Sequence, residues 1–218
     1  MASLADRVDI PVLYLPTARR DYLDQAIASA EGQGRVTVEP GIVGHTGRAR
    51  AAAFAKGKAE FVGLLDYDDL LLPGAVAACL EALERHPEAV GAYTGYRTID
   101  AQGAITATVE ARNWSPVHML CKLGSPHTPI HFTLMRRAAM MRCLDVLRWP
   151  EAAVLDDTCA YSALTQFGPW VHIPAPLYRY RRHPGNTTNG LTPEYCKAVI
   201  RRITPLLMPV IKRSRAWG

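Results

Sequence analysis

Three carboxylates fall within four residues at Asp66-Tyr67-Asp68-Asp69, directly after the apolar run Phe61-Val62-Gly63-Leu64-Leu65. Carboxylates this close repel one another unless a cation sits between them. Hard divalent cations such as Mg²⁺ or Mn²⁺ take oxygen ligands and often bridge protein carboxylates to substrate phosphates. The chemistry this pattern suits is a metal–phosphate site. The same acids also suit a solvated turn before a helix that Pro73 begins, because proline favours the first helical turn and acids favour the helix N-terminus.

Some element must carry these acids. Five consecutive apolar or small residues read as a buried strand of a parallel sheet. Such a strand places the residues just after it at its carboxyl end, where ligands bind in open α/β sheets. Residues 49–60, just upstream, are Ala-rich with good helix propensity. Helix, apolar strand, acidic turn and Pro-initiated helix together make half of a doubly wound α/β unit.

Here the chain resembles the family 2 glycosyltransferases of the GT-A fold. The likeness is carried by Ala49-Arg50, Lys58-Ala59-Glu60-Phe61, Leu65-Asp66-Tyr67-Asp68-Asp69 and Pro73, at the family's spacing, with Ala51 where the family usually has Asn. The resemblance implies an α/β fold, GT-A-like and Rossmann-like, with a mixed, mostly parallel sheet flanked by helices. It also implies inverting transfer of a sugar from a nucleotide-sugar donor to a hydroxyl acceptor, with Mn²⁺ or Mg²⁺ as cofactor. By the same resemblance Asp68 is a metal ligand, Asp66 holds the metal or the nucleotide ribose, and Asp69 stands behind them.

Two more patches come in the family's order. Leu155-Asp156-Asp157-Thr158 stands where the family has Glu-Asp before a helix. Inverting transfer needs one carboxylate to take the proton of the attacking hydroxyl. Asp157 matches the family's base, and Asp156 would orient it or the acceptor. An N-cap pair that only stabilises the helix, by on the order of 1 kcal/mol, is the plainer reading. Tyr178-Arg179-Tyr180-Arg181-Arg182-His183, after Ile173-Pro174-Ala175-Pro176-Leu177, resembles the family's Tyr-Arg-x-His stretch. It implies His183 as a metal ligand or phosphate donor and Arg181 as a phosphate clamp.

Pro16-Thr17-Ala18-Arg19 resembles the family's Pro-Thr-x-Asn-Arg at the first strand end. Thr17, Arg19, Arg50, Asp66 and Arg181 are then the expected nucleotide-binding residues. The likeness is weakest at the second strand, where Val38-Glu39-Pro40-Gly41 replaces an acidic stretch that reads the base, and Glu39 is the available substitute. His45, His118, His127, His131 and Trp114 are weaker candidates, each as well explained by structure or solvation.

Length and composition agree with one domain. Of the 218 residues, 49% are hydrophobic, enough for a core. Residues 1–192 read as the transferase-like domain and 193–218 as a basic amphipathic helical segment packed on it. No run of eighteen apolar residues offers a transmembrane span, and the N-terminus lacks a secretory apolar stretch. Cys79, Cys121, Cys143, Cys159 and Cys196 lack metal-ligand spacing and read as reduced thiols in a cytoplasmic protein. The net charge of +5 is concentrated towards the C-terminus. It points to polyanionic partners: a sugar-nucleotide diphosphate, an anionic lipid surface touched by the C-terminal helix, or nucleic acid. No zinc-finger or RNA-recognition spacing supports a dedicated nucleic-acid domain. The acceptor stays open among glycan, lipid-linked and nucleic-acid hydroxyls, and a non-catalytic binding module with the same fold is the rival reading.

Periodicity predicts strands at Ile10–Leu15, Val36–Val38, Phe61–Leu65, Val90–Ile99, Ala104–Val109, Ile130–Met135 and Trp170–Ile173. It predicts helices at Asp21–Ala30, from Ala49, Pro73–His86, Arg137–Leu147, Asp157–Phe167 and Pro193–Arg213, the last interrupted at Pro205 and Pro209. Residues 112–129 read as an irregular loop over the site.

Overall fold

The computed structural model describes residues 3–121 and 125–215. Lys122, Leu123 and Gly124 of the expected loop, and the last three residues of the C-terminal segment, lie outside the described residues. In chain order the elements are α1 (Leu4–Arg7), β1 (Val8–Tyr14), α2 (Arg20–Ala30), β2 (Arg35–Pro40), α3 (Thr46–Lys56), β3 (Phe61–Asp66), β4 (Leu70–Leu71) and α4 (Ala75–Arg85). Next come β5 (Gly91–Ile99), β6 (Ile105–Val109), α5 (Pro116–Cys121), β7 (Thr133–Arg136), α6 (Arg137–Met141), α7 (Asp156–Leu164), β8 (Trp170–Arg181) and α8 (Pro193–Arg215). Tight 3₁₀ turns fill residues 144–152 and 187–190.

The strands form one mixed sheet in the order β2-β1-β3-β7-β5-β8-β4, with β6 paired to β5 beside β7. Pairing is parallel for β1 with β2 and β3 and for β5 with β8; β7, β4 and β6 pair antiparallel. The sheet is the expected mixed, mostly parallel one, its two parallel groups joined through the short antiparallel β7.

Side chains on β3 alternate between two cores, as a strand buried on both faces requires. Phe61 and Leu65 join Ile10, Leu23, Val76 and Leu80 on the side of α2 and α4. Val62 and Leu64 join Phe54, Leu147, Leu164 and Trp170 on the side of α3 and α7. Gly63 has no side chain for a physical reason. A Cβ there would come within 2.8 Å of the Phe132 ring, so the glycine lets Phe132 lie directly on the strand.

Register decides where the site opens. Leu13 pairs with Asp66, so β1 and β3 end at the same edge. β7 reaches only as far as Leu64, opposite Thr133. The carboxyl end of β3 therefore projects past β7, and the residues entering β7, His131 among them, arrive beside it. β8 runs parallel to β5, and its far end returns to the acidic turn through β4, where Leu70 pairs with Arg179 and Leu71 with Tyr178.

Several expectations need correction. The helix expected over Arg137–Leu147 ends at Met141 and a 3₁₀ turn follows, and Pro116–Cys121 of the expected loop is helical. Pro73 does not start α4; Gly74, at φ 83°, caps the helix from the left-handed region, which glycine adopts freely. The last strand is twelve residues long and not four. Pro174 and Pro176 coincide with shifts in register against β5 that let the strand continue past them. α8 is not interrupted at Pro205 and Pro209. Both prolines are exposed, so the carbonyls they leave unpaired meet water. Its apolar stripe, Val199, Ile203, Leu207 and Ile211, belongs to the same core as α7.

Candidate active site

Asp66 ends β3, and Asp68 and Asp69 lie in the turn to β4. Asp69 is fully buried and serves the turn. Its carboxylate accepts hydrogen bonds from the Tyr178 hydroxyl at 2.8 Å and the Arg181 backbone N–H at 2.7 Å. Burial, with the charges of Asp68 and Asp66, drives its pKa well above the carboxylate range. Asp68 lies at the rim, where His183 Nε2 stands 2.8 Å from Oδ2 and Asn186 donates at 3.3 Å. Burial first, then the Asp66 charge, raises its pKa too. Buried, crowded carboxylates such as Asp68 and Asp69 gain from a cation, and Asp68 has the His183 imidazole beside it. Asp66, Asp69 and His131 also offer ligand atoms within 4.8 Å of one another. In that trio both oxygens of Asp69 already accept protein hydrogen bonds.

Arg50, on the buried face of α3, ties the acidic turn to α7. Its Nη2 donates to Asp66 and its Nε to Asp156, both at 2.7 Å. Burial opposes its charge, but Asp156 and Asp66 raise its pKa beyond the ordinary value. Against burial, the Arg50 charge holds Asp66 below its usual range. Burial outweighs Arg50 at Asp156, whose pKa is raised. Arg50 Nη1 is buried without a hydrogen-bond partner.

Asp157 stands in the first turn of α7 and accepts from the Thr158 N–H. Burial, and next the Asp156 charge, push its pKa up to about 7. Two cavities meet at this residue. The first, about 230 Å³, is lined by Tyr14, Ile42, Arg50, Asp66 and Asp68. The second, about 370 Å³, is lined by Tyr96, Met119, Thr128, Thr158 and Arg182. His131, Leu155, Asp157, Tyr180 and Thr188 line both and form a shared wall.

Of the residues read from sequence, the fold brings together Arg50, Asp66, Asp68, Asp156, Asp157 and His183. It sets others apart. Arg181 is buried and turned away from both cavities, because its Nε donates to the Asp68 carbonyl at 2.7 Å and its Nη2 to Gln25 at 2.8 Å. Its place is behind the turn, which it buttresses. Glu39 pairs with Lys56 at 2.6 Å and does not line the first cavity. Thr17 and Arg19 line a third, open hollow shared with His183, and Arg19 is engaged by Asp21 and the Tyr22 ring. His45 caps α3, and His118 and His127 pack on each other away from both cavities.

His131 is the residue that sequence undervalued. Its ring lies near-parallel to Tyr178 and Tyr180, at 4.9 and 5.0 Å between centroids. Burial depresses its pKa to about 4, so the imidazole is neutral at pH 7. The sequence signal was only a histidine in the expected strand Ile130–Met135, which in the structure begins two residues after it, at Thr133. That this strand enters beside Asp66 is a property of strand order.

A family model described as glycosyl transferase family 2 matches residues 18–144, more than half of the chain and including the acidic turn. The chain belongs to glycosyl transferase family 2. Among curated proteins, this family 2 chain is 31% identical over 156 residues to the O-antigen biosynthesis protein RfbC of Myxococcus xanthus. It is 30% identical over 128 residues to the chondroitin synthase of Escherichia coli. Those matches cover 70% and 59% of this chain but only 12% and 18% of the relatives, so the chain corresponds to a small part of each. Among solved structures, S. aureus TarS 1-349 superposes over 92% of this chain and 65% of its own length, with a TM-score of 0.63 at 12% identity. The same protein in complex with UDP-GlcNAc gives 0.63 at 13% identity, covering 92% of this chain and 66% of the other. These likenesses establish the fold, a mixed α/β sheet flanked by helices. The family match ends before α7 and β8, so Asp157 and His183 rest on the geometry above. Among the described residues no helix is long and apolar enough to cross a membrane.

Proposed function

We propose that the chain transfers a sugar from a nucleotide-sugar to a hydroxyl acceptor with inversion at the anomeric carbon. The observation that carries this reading is the place of Asp157, in the wall between an acid-lined cavity and an open one, where burial and the Asp156 charge push its pKa up to about 7. A general base works best with a pKa near the operating pH. Asp157 takes the proton of the acceptor hydroxyl as its oxygen bonds to the anomeric carbon, and the nucleoside diphosphate leaves from the opposite face. Asp156, fixed by Arg50, positions the base. Asp66, Asp68 and His183 would hold Mn²⁺ or Mg²⁺, which when bound neutralises the developing diphosphate charge.

The first cavity is the donor side and the second the acceptor side. The UDP-GlcNAc bound by TarS makes that nucleotide-sugar a reasonable first probe. The acceptor class, whether glycan, lipid-linked or nucleic acid, is for experiment to choose. We take residues 1–192 as the transferase domain and 193–218 as a segment packed on it, in the cytoplasm, where free thiols such as the five here persist. A binding module without turnover is the rival, and the pairing of Glu39 with Lys56, away from the donor cavity, is the observation on its side.

A panel of nucleotide-sugars screened for Mn²⁺-dependent binding and hydrolysis tests the reading. We expect one donor to bind and turn over, with both lost in EDTA and in Asp68→Ala. Binding unchanged by EDTA would remove the cation, and binding without any turnover would favour the rival.

A further inference from the structure

His131 holds a position that the proposed mechanism leaves unused. It is 8% exposed, and its Nδ1 is buried with no hydrogen-bond partner among the described residues. A buried polar atom without a partner is costly, and native proteins keep few of them. The ring is also held still. Tyr178 and Tyr180 pack near-parallel to it, Tyr96 meets it edge-on at 5.9 Å, and Phe132 is seated over Gly63 on β3. A fixed imidazole presents its ring nitrogens for hydrogen bonding, and it loses little entropy when it uses them.

Its location narrows the ligand. His131 belongs to the wall shared by the acid-lined cavity and the open one, as does Asp157. A sugar moving from one cavity to the other must present its anomeric carbon at that wall, within reach of the hydroxyl that Asp157 deprotonates. The diphosphate lies on one side of this point and the acceptor on the other. What lies at the wall is the transferred ring, whose chemistry is a set of hydroxyl groups.

We propose that the His131 imidazole hydrogen-bonds a hydroxyl group of the transferred sugar and so helps select it. The inference rests on the transferase reading above. It competes with a role for His131 as a cation ligand beside Asp66, and the two separate by experiment. A cation ligand serves the diphosphate whether or not a sugar is attached, whereas a sugar contact serves only the nucleotide-sugar.

The test is calorimetry with Mn²⁺ on the whole chain. Each diphosphate is compared with its sugar conjugate: UDP with UDP-GlcNAc, UDP-glucose and UDP-glucuronate, and GDP with GDP-mannose. The variants are His131→Phe and His131→Leu, both apolar and of similar bulk, so that one remains informative if the other melts early. We expect diphosphate affinity within twofold of the wild type and affinity for the preferred nucleotide-sugar lower by about tenfold, the worth of one hydrogen bond. Equal weakening of diphosphate and conjugate would overturn the proposal in favour of a cation ligand, and no weakening of either would overturn it outright. A wild-type protein that binds none of these compounds would instead sink the transferase reading, and the inference with it.

Discussion

Asp157 is pulled in two directions. Burial and the neighbouring Asp156 charge favour its protonated form, while the Thr158 N–H favours the carboxylate. The balance near 7 makes a base that is half prepared at neutral pH. In the free enzyme, kcat/KM should therefore fall as pH drops below about 7, and Asp157→Asn should lose that acidic limb along with about 10²-fold or more of turnover. The stability consequence has a definite sign. A carboxyl whose folded pKa is raised stabilises the fold fully below its unfolded value near 4 and loses that contribution as pH rises to about 7. The Asn variant should thus melt no lower than the wild type at pH 8, with any advantage shrinking towards pH 5. A variant that melts much lower at pH 8 would mean that Asp157 only caps α7. Arg50 offers the contrasting case. Removing it leaves the buried Asp156 and the partly buried Asp66 without their shared cation, and breaking a buried pair such as Arg50–Asp156 costs about 3–5 kcal/mol. Urea denaturation of Arg50→Met should show a loss of that order, and an unchanged midpoint would refute the bridging role.

Elements with clean periodicity were legible before the structure. α2 and α4 are defined by a 3.6-residue stripe that marks one buried face, and β3 by a continuous apolar run that marks burial on both. β8 was read too short because Pro174 and Pro176 look like terminators. Only the shifted register against β5 shows that the strand absorbs them. α8 was misjudged for the opposite reason. Its prolines break helical hydrogen bonds, but the buried stripe of Val199, Ile203, Leu207 and Ile211 outweighs that loss, and both prolines face water. Pro205 still costs the helix an amide and a steric fit. Pro205→Ala is therefore expected to stabilise the chain by about 1–3 kcal/mol in urea. A loss of stability would show that the proline is tuned to a local bend.

At the scale of the molecule, the site joins five stretches that are distant in sequence: the end of β3, the buried face of α3, the entry to β7, the first turn of α7 and the end of β8. The first, fourth and fifth carry the stretches that resemble the family, which is why Asp66, Asp68, Asp157 and His183 stand out as candidates in the sequence. His131 could not, because its value comes from β7 running antiparallel beside β3 and stopping at Leu64. Arg181 was misassigned for a related reason. Alternation along β8 shows that Tyr180 and Arg181 point to opposite faces, but not which face holds the cavities.

The wall common to both cavities has a kinetic consequence. A ligand whose ring reaches His131, Tyr180 and Thr188 from the acid-lined side becomes part of the lining of the open side. On the proposed reading the acceptor would meet a finished pocket only after the first substrate has arrived, and the spent diphosphate would depart only once the glycosylated product has cleared the junction. Initial-rate studies should show compulsory order, with the diphosphate competitive against the nucleotide-sugar and non-competitive against the acceptor. Random addition, with acceptor binding equally well to the empty protein, would mean that the two cavities fill independently.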